Sequence, residues 1–64
     1  MNATELYLEP KHIKAGLRVV TTDKYHFELR HKRYVVAKFI KYVGVGVDIR
    51  FQANRYLGEK NEGN

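Results

Sequence analysis

Arg18, Arg30, Lys38 and Arg50 occupy even-numbered positions of a segment whose odd-numbered positions are apolar, and Tyr34 and Tyr42 stand among them. Lys32 and Arg33 follow closely on Arg30. In an extended chain successive side chains point to opposite faces, so these residues gather on and beside the face opposite the hydrocarbon. Fixed cations beside phenol rings have a recurrent chemistry: Lys and Arg neutralise phosphates while aromatic faces stack bases. The eight residues therefore point to a non-enzymatic binding surface for RNA or DNA. Its sequence specificity is expected to be low, because contacts to phosphate carry no base information.

Catalytic chemistry has few candidates. The chain contains no serine and no cysteine, which leaves Thr4, Thr21 and Thr22 as hydroxyl nucleophiles of that type. An acid–base pair would need Glu28 or Asp48 beside His26, and the expected strand pairing keeps them apart. His12, His26 and His31 are too scattered to suggest a metal site. Gly44 and Gly46 are not followed by the Lys–Ser/Thr of a phosphate-cradling loop. His26 is expected half-exposed opposite Lys38, and His31 at a loop tip where it donates to phosphate or water. The chain is thus expected to be no enzyme and to use no cofactor or metal.

A sheet is needed to hold the cations on one surface. The odd positions read Leu17, Val19, Thr21, then Tyr25, Phe27, Leu29, then Val35, Ala37, Phe39, Lys41, Val43, then Val47, Ile49, Phe51, Ala53, with Lys41 the one charge. This period of two predicts four antiparallel strands. Three-residue loops at 22–24, 31–33 and 44–46 keep the odd side chains together, pairing Val19 with Phe27, Leu29 with Val35 and Val43 with Val47. Gly46 suits the left-handed residue of the third loop, whereas Arg33 is a poor occupant of the second. Residues 6–8 read as a short edge strand stopped by Pro10, and Gly16 admits a positive φ before the first long strand. Tyr56 or Leu57 is expected to tuck under the sheet.

Strong twist would curl such a ribbon into an all-β fold, either a small SH3-like partly open barrel or a strongly curled antiparallel meander of four to five strands. Residues 13–19 resemble the glycine-then-strand opening of SH3-like and ribosomal-protein-type barrels. Residues 32–39 are loosely similar to the basic-aromatic strand of RNA-recognition modules, without their glycine.

Sixty-four residues make one small domain, 1–58, followed by a polar tail, 59–64, expected to be disordered. Without cysteine there is no disulfide or zinc–thiolate staple, and a homodimer through Tyr34, Val36, Ile40 and Tyr42 would supply further burial. No apolar run approaches the roughly 20 residues of a membrane helix, and residues 1–10 lack the features of a secretory signal, so a cytoplasmic location is the default expectation. The net charge is +5, and between Lys11 and Arg55 eleven basic residues face only Asp23, Glu28 and Asp48. Such an excess attracts polyanions in a salt-dependent way. The rival reading is a small accessory or inhibitor protein, of the kind common in viruses and mobile elements, gripping an acidic surface of a host protein. Val36 and Ile40 favour it, since branched hydrocarbon suits a protein contact better than a phosphate.

Overall fold

The structure is a computed structural model that describes the backbone of residues 3–62 and the side chains of residues 3–58. The tail expected at 59–64 lies outside the fully described residues. The elements run α1 (Thr4–Tyr7), α2 (Pro10–Lys14), β1 (Leu17–Asp23), β2 (His26–His31), β3 (Tyr34–Ile40) and α3 (Val45–Glu62). The three strands form one antiparallel sheet in the order β1-β2-β3, and α3 lies against one of its faces. This is an open α+β sheet with a helical cover. The all-β barrel or meander expected from the sequence is not what the chain forms.

On β1 and β2 the odd positions do face the core: Leu17, Val19, Phe27 and Leu29 are all buried. The pairing is nevertheless two residues away from expectation, with Val19 opposite Leu29, Thr21 opposite Phe27, Leu29 opposite Ala37 and Phe27 opposite Phe39. A slip of two returns every side chain to its original face, so the apolar pattern fixes the face and leaves the register to the turns. Both turns have two residues rather than three, because Asp23 pairs with His26 and His31 with Tyr34. Lys32, not Arg33, takes the left-handed conformation, at φ 56°. Tyr25, expected inside, is exposed in the first turn.

The second hairpin recovers the odd alignment through a bulge in β3, where the pairing shifts between Arg30–Val35 and Leu29–Ala37. Val36 is the extra residue and packs against the core, while Val35 is turned outward beside Arg30.

The fourth strand expected over residues 47–53 is the first half of α3. Val43, Val45, Val47, Ile49, Phe51 and Ala53 alternate like a strand, yet Val45, Ile49 and Ala53 also recur at i, i+4 and i+8. The helical reading is the one realised. Val45, Ile49 and Ala53 are buried, Tyr56 and Leu57 continue the same face against the core, and Val47 and Phe51 project into solvent. Three strands with a single apolar face require a lid, and a helix provides one without curling the sheet. Asp48 in the first turn suits the positive end of the helix dipole. Gly46 is not a hairpin residue but the point where α1 meets α3: a Cβ there would lie 2.9 Å from Cδ1 of Tyr7.

The N-terminal segment is helical instead of forming an edge strand, and Pro10 opens α2, where its fixed φ and missing N–H do no harm. Gly16 takes the expected positive φ, 98°. The segment docks onto β1 through the Ala3 amide, which donates to the Val19 carbonyl at 2.9 Å, and through Thr4 Oγ1, which accepts from the Val19 amide at 2.9 Å. His12 ties α2 to α3. Its ring is fully buried, Nδ1 accepting from the Glu9 amide at 3.1 Å and Nε2 donating to Asn54 Oδ1 at 2.6 Å. Lys41, expected within a strand, follows β3 and places its ammonium 4.8 Å from the centre of the Phe27 ring. Among the described residues no helix is long and apolar enough to cross a membrane.

Candidate functional site

With α3 and the N-terminal helices on one side, the other face of the sheet is left open. Its rows follow from the register: Arg18 beside Arg30 beside Val35, then Val20 beside Glu28 beside Lys38, then His26 beside Ile40. Directly opposed residues of an antiparallel pair have Cα atoms about 5 Å apart and side chains on the same side. Arg18 and Arg30 are therefore two like charges held against each other by the backbone.

One carboxylate stands among these cations. Glu28 Oε1 lies 3.3 Å from Arg30 Nε, and the Glu28 side chain is mostly covered. That ion pair lacks the alignment of a hydrogen bond, and Arg30 Nε is buried without one. Arg18 has no carboxylate partner among the described residues; its Nη2 donates to the Lys32 carbonyl at 3.4 Å, which leans it toward the β2–β3 turn. Lys32 and Arg33 are exposed in that turn. Arg18, Arg30, Lys32, Arg33 and Lys38 thus form one cationic surface around Glu28.

Three of the eight residues expected on this surface lie elsewhere. Tyr34 is opposite His31, whose ring is buried, so the register sets it on the helix side of the sheet with its phenol exposed at the rim. Tyr42 lies in the segment joining β3 to α3, and its hydroxyl donates to Asp48 Oδ2. The hydrogen bond to Asp48 raises the Tyr42 pKa above the ordinary tyrosine value, and desolvation and the nearby negative charge add to the effect. Arg50 is on α3, on the covered side, with Nη1 donating to the Tyr7 carbonyl at 3.3 Å. The two tyrosines therefore do not form a stacking platform with the cations. The dimer surface expected from Tyr34, Val36, Ile40 and Tyr42 is dispersed too: rim, core side, open face and connecting segment.

The histidines also differ from expectation. His31 is no loop-tip donor; its Nε2 donates to the Ala15 carbonyl at 3.1 Å and its Nδ1 accepts from the Tyr56 hydroxyl at 2.9 Å. His26 faces Ile40 rather than Lys38, and its Nδ1 lies 2.9 Å from Asp23 Oδ1. The same carboxylate oxygen accepts from the Tyr25 amide at 2.7 Å. The Tyr25 amide first, and His26 second, hold the Asp23 carboxyl below the ordinary range. Among the described residues no group of three His, Asp or Glu side chains is placed to hold a metal ion.

Val35 is the outward residue that sequence reasoning missed, because a strict period of two sends it inward. The one available signal was the Val35–Val36 doublet, which offers either residue to the core. Comparison of the chain with known protein families, curated proteins and solved structures returns no match.

Proposed function

We propose that the protein is a non-enzymatic nucleic-acid-binding module whose ligand lays its phosphates across the open sheet face and against the β2–β3 turn. The observation that supports this most is the Arg18–Arg30 opposition. Like charges directly opposed across a sheet destabilise it, and a phosphate bridging both guanidinium groups offsets that repulsion. Arg18 and Arg30 supply forked donors for phosphate oxygens, Lys38 a point charge, and Lys32 and Arg33 extend the surface at one end. The patch runs from the β2–β3 turn along β3 to Lys38. Since these contacts are to the backbone, base stacking on Tyr34 or Tyr42 is not part of the mechanism. The proposed setting is the cytoplasm.

Fluorescence anisotropy with labelled RNA, single-stranded DNA and duplex DNA tests the proposal. Binding is expected at about 50 mM salt, falling with log salt at a slope of roughly 0.7 to 0.9 per phosphate for three to five contacts. Replacing Arg18 and Arg30 together with Ala should lower that slope by nearly two. No binding to any of the three ligands at about 50 mM salt would sink the reading.

A second reading has one observation of its own. Val35 and Ile40 are exposed on the same face as the cations, and hydrocarbon between positive charges also suits an acidic protein surface. In that case the protein is a small accessory or inhibitor. Recovery of the tagged chain from lysate with and without nuclease separates the two, because a protein partner retained after digestion favours the second.

A further inference from the structure

At the end of the open face away from the β2–β3 turn, the cations give way to a cleft. Asp23, His26, Glu28 and Lys38 line it, and its volume of about 340 Å³ lies at the lower end of the range for sites that hold a small organic group. A bare phosphate contact needs no such recess.

Glu28 is the residue that phosphate binding leaves without a role, since a carboxylate among the cations repels the anion they attract. The stem of Glu28 is covered, with 14% of the side chain exposed, and its ion pair with Arg30 Nε lacks hydrogen-bond alignment. Lone pairs on both carboxylate oxygens therefore remain for a ligand. Lys38 stands directly opposite Glu28 across the β2–β3 ladder, and among the described residues its ammonium has no ion pair. A forked acceptor and a donor are thus held side by side. His26, two residues before Glu28 and on the same side of β2, is fixed by the 2.9 Å contact of its Nδ1 with Asp23 Oδ1. Its ring offers the cleft a flat face of the kind on which bases stack.

The bases differ in what they present to such a site. Guanine alone sets two adjacent donors, N1–H and the 2-amino group, beside a carbonyl acceptor, O6. Adenine and cytosine offer one amino group on that edge, and uracil one N–H. We infer that the cleft takes one guanine of a single strand, with Glu28 accepting from N1–H and the 2-amino group, Lys38 donating to O6, and the base lying against His26. The edge used is the Watson–Crick edge, so the guanine must be unpaired. This inference rests on the nucleic-acid reading and adds to it one position at which a base is read; the contacts of Arg18, Arg30, Lys32 and Arg33 to phosphate stay indifferent to sequence. The remaining N–H groups of Lys38 still serve a phosphate.

Anisotropy titrations of the full chain at about 50 mM salt test it, with short labelled uridine strands that carry guanine, inosine, adenine, cytosine or uracil at a single central position. Guanine should bind about tenfold more tightly than adenine, cytosine or uracil there. Inosine, which lacks only the 2-amino group, should lose most of that gain, a comparison that needs no variant. Glu28→Gln should cut the guanine preference to under about twofold, because the amide keeps one acceptor and sets an N–H against the second donor of the base. The same variant should bind the all-uridine strand at least as tightly as the parent chain, since a negative charge has gone. That retained affinity shows it folded, and a general loss of structure would not affect one base alone. Equal affinity at every base overturns the inference and leaves phosphate binding standing. So does a preference for another base, an inosine strand that binds like the guanine strand, or a guanine preference that survives Glu28→Gln. No binding of any strand removes the nucleic-acid reading and this inference with it.

Discussion

His12 ties α2 to α3 and His31 holds β2 to the helical side, each using both ring nitrogens, one as donor and one as acceptor. Removing a partner of such a ring strands a buried polar atom, and that penalty exceeds the net worth of the bond. Asn54→Ala, which takes the acceptor from His12 Nε2, should lower stability by about 1–3 kcal/mol, read from the urea midpoint. At the surface, two groups should titrate outside their ordinary ranges. Tyr42 has a raised pKa when folded, so its bond to Asp48 contributes below the ordinary tyrosine value and is lost as pH rises through the folded value. In a phenolate titration, Tyr42→Phe should delete a late step, and an unchanged upper limb would contradict this. Asp23 is the reverse case, its contribution present above the ordinary carboxylate value and lost as pH falls through the lowered one. The expected pairing of Val43 with Val47 already faced Tyr42 toward Asp48, though across a hairpin rather than at a helix start, whereas the histidine partnerships were not legible in the sequence. His31 looks like a loop residue until a slip of two sets it opposite Leu17, and His12 becomes a core residue only once α3 brings Asn54 to it.

The elements were legible to the degree that one periodicity excluded the other. From Leu17 to Leu29 the alternation had no helical competitor, and Leu17, Val19, Phe27 and Leu29 were read onto the buried face correctly, while Tyr25 was not. From Val43 to Ala53 both periods fitted, and the choice was made by a tertiary requirement, the need to cover a three-stranded sheet. Glycines show the same dependence on context. Gly46 and Gly58 both lie within α3, where Ala is intrinsically better by about 1 kcal/mol. Gly58→Ala has open space around the new Cβ and should stabilise by about 0.5–1 kcal/mol. Gly46→Ala meets the Tyr7 ring, itself packed edge-on against Phe27 with 5.2 Å between centroids, and should destabilise despite the better propensity. Thermal unfolding of the two variants, compared under one condition, checks the opposite signs.

At the scale of the whole molecule, one side of the sheet makes the core and the other keeps its charges. Five of the eight binding residues read from the sequence share that open face or its adjoining turn, because β1, β2 and most of β3 have the expected parity. Tyr34, Tyr42 and Arg50 do not, since the bulge, the connecting segment and the helix each break the period of two. On the proposed reading, the face that opposes Arg18 to Arg30 gives up stability for binding. Arg18→Glu should accordingly raise the unfolding free energy by about 0.5–1 kcal/mol and weaken nucleic-acid binding at low salt. A variant that lost stability and kept its affinity would contradict that trade.

Amide chemical-shift mapping of the full chain during titration with a short oligonucleotide at low salt tests the central claim most directly. The account predicts that the largest changes fall on Arg18, Arg30, Lys32, Arg33 and Lys38, with α3 nearly unaffected. Changes confined to α3 and the N-terminal helices, or none at saturating oligonucleotide, would contradict it.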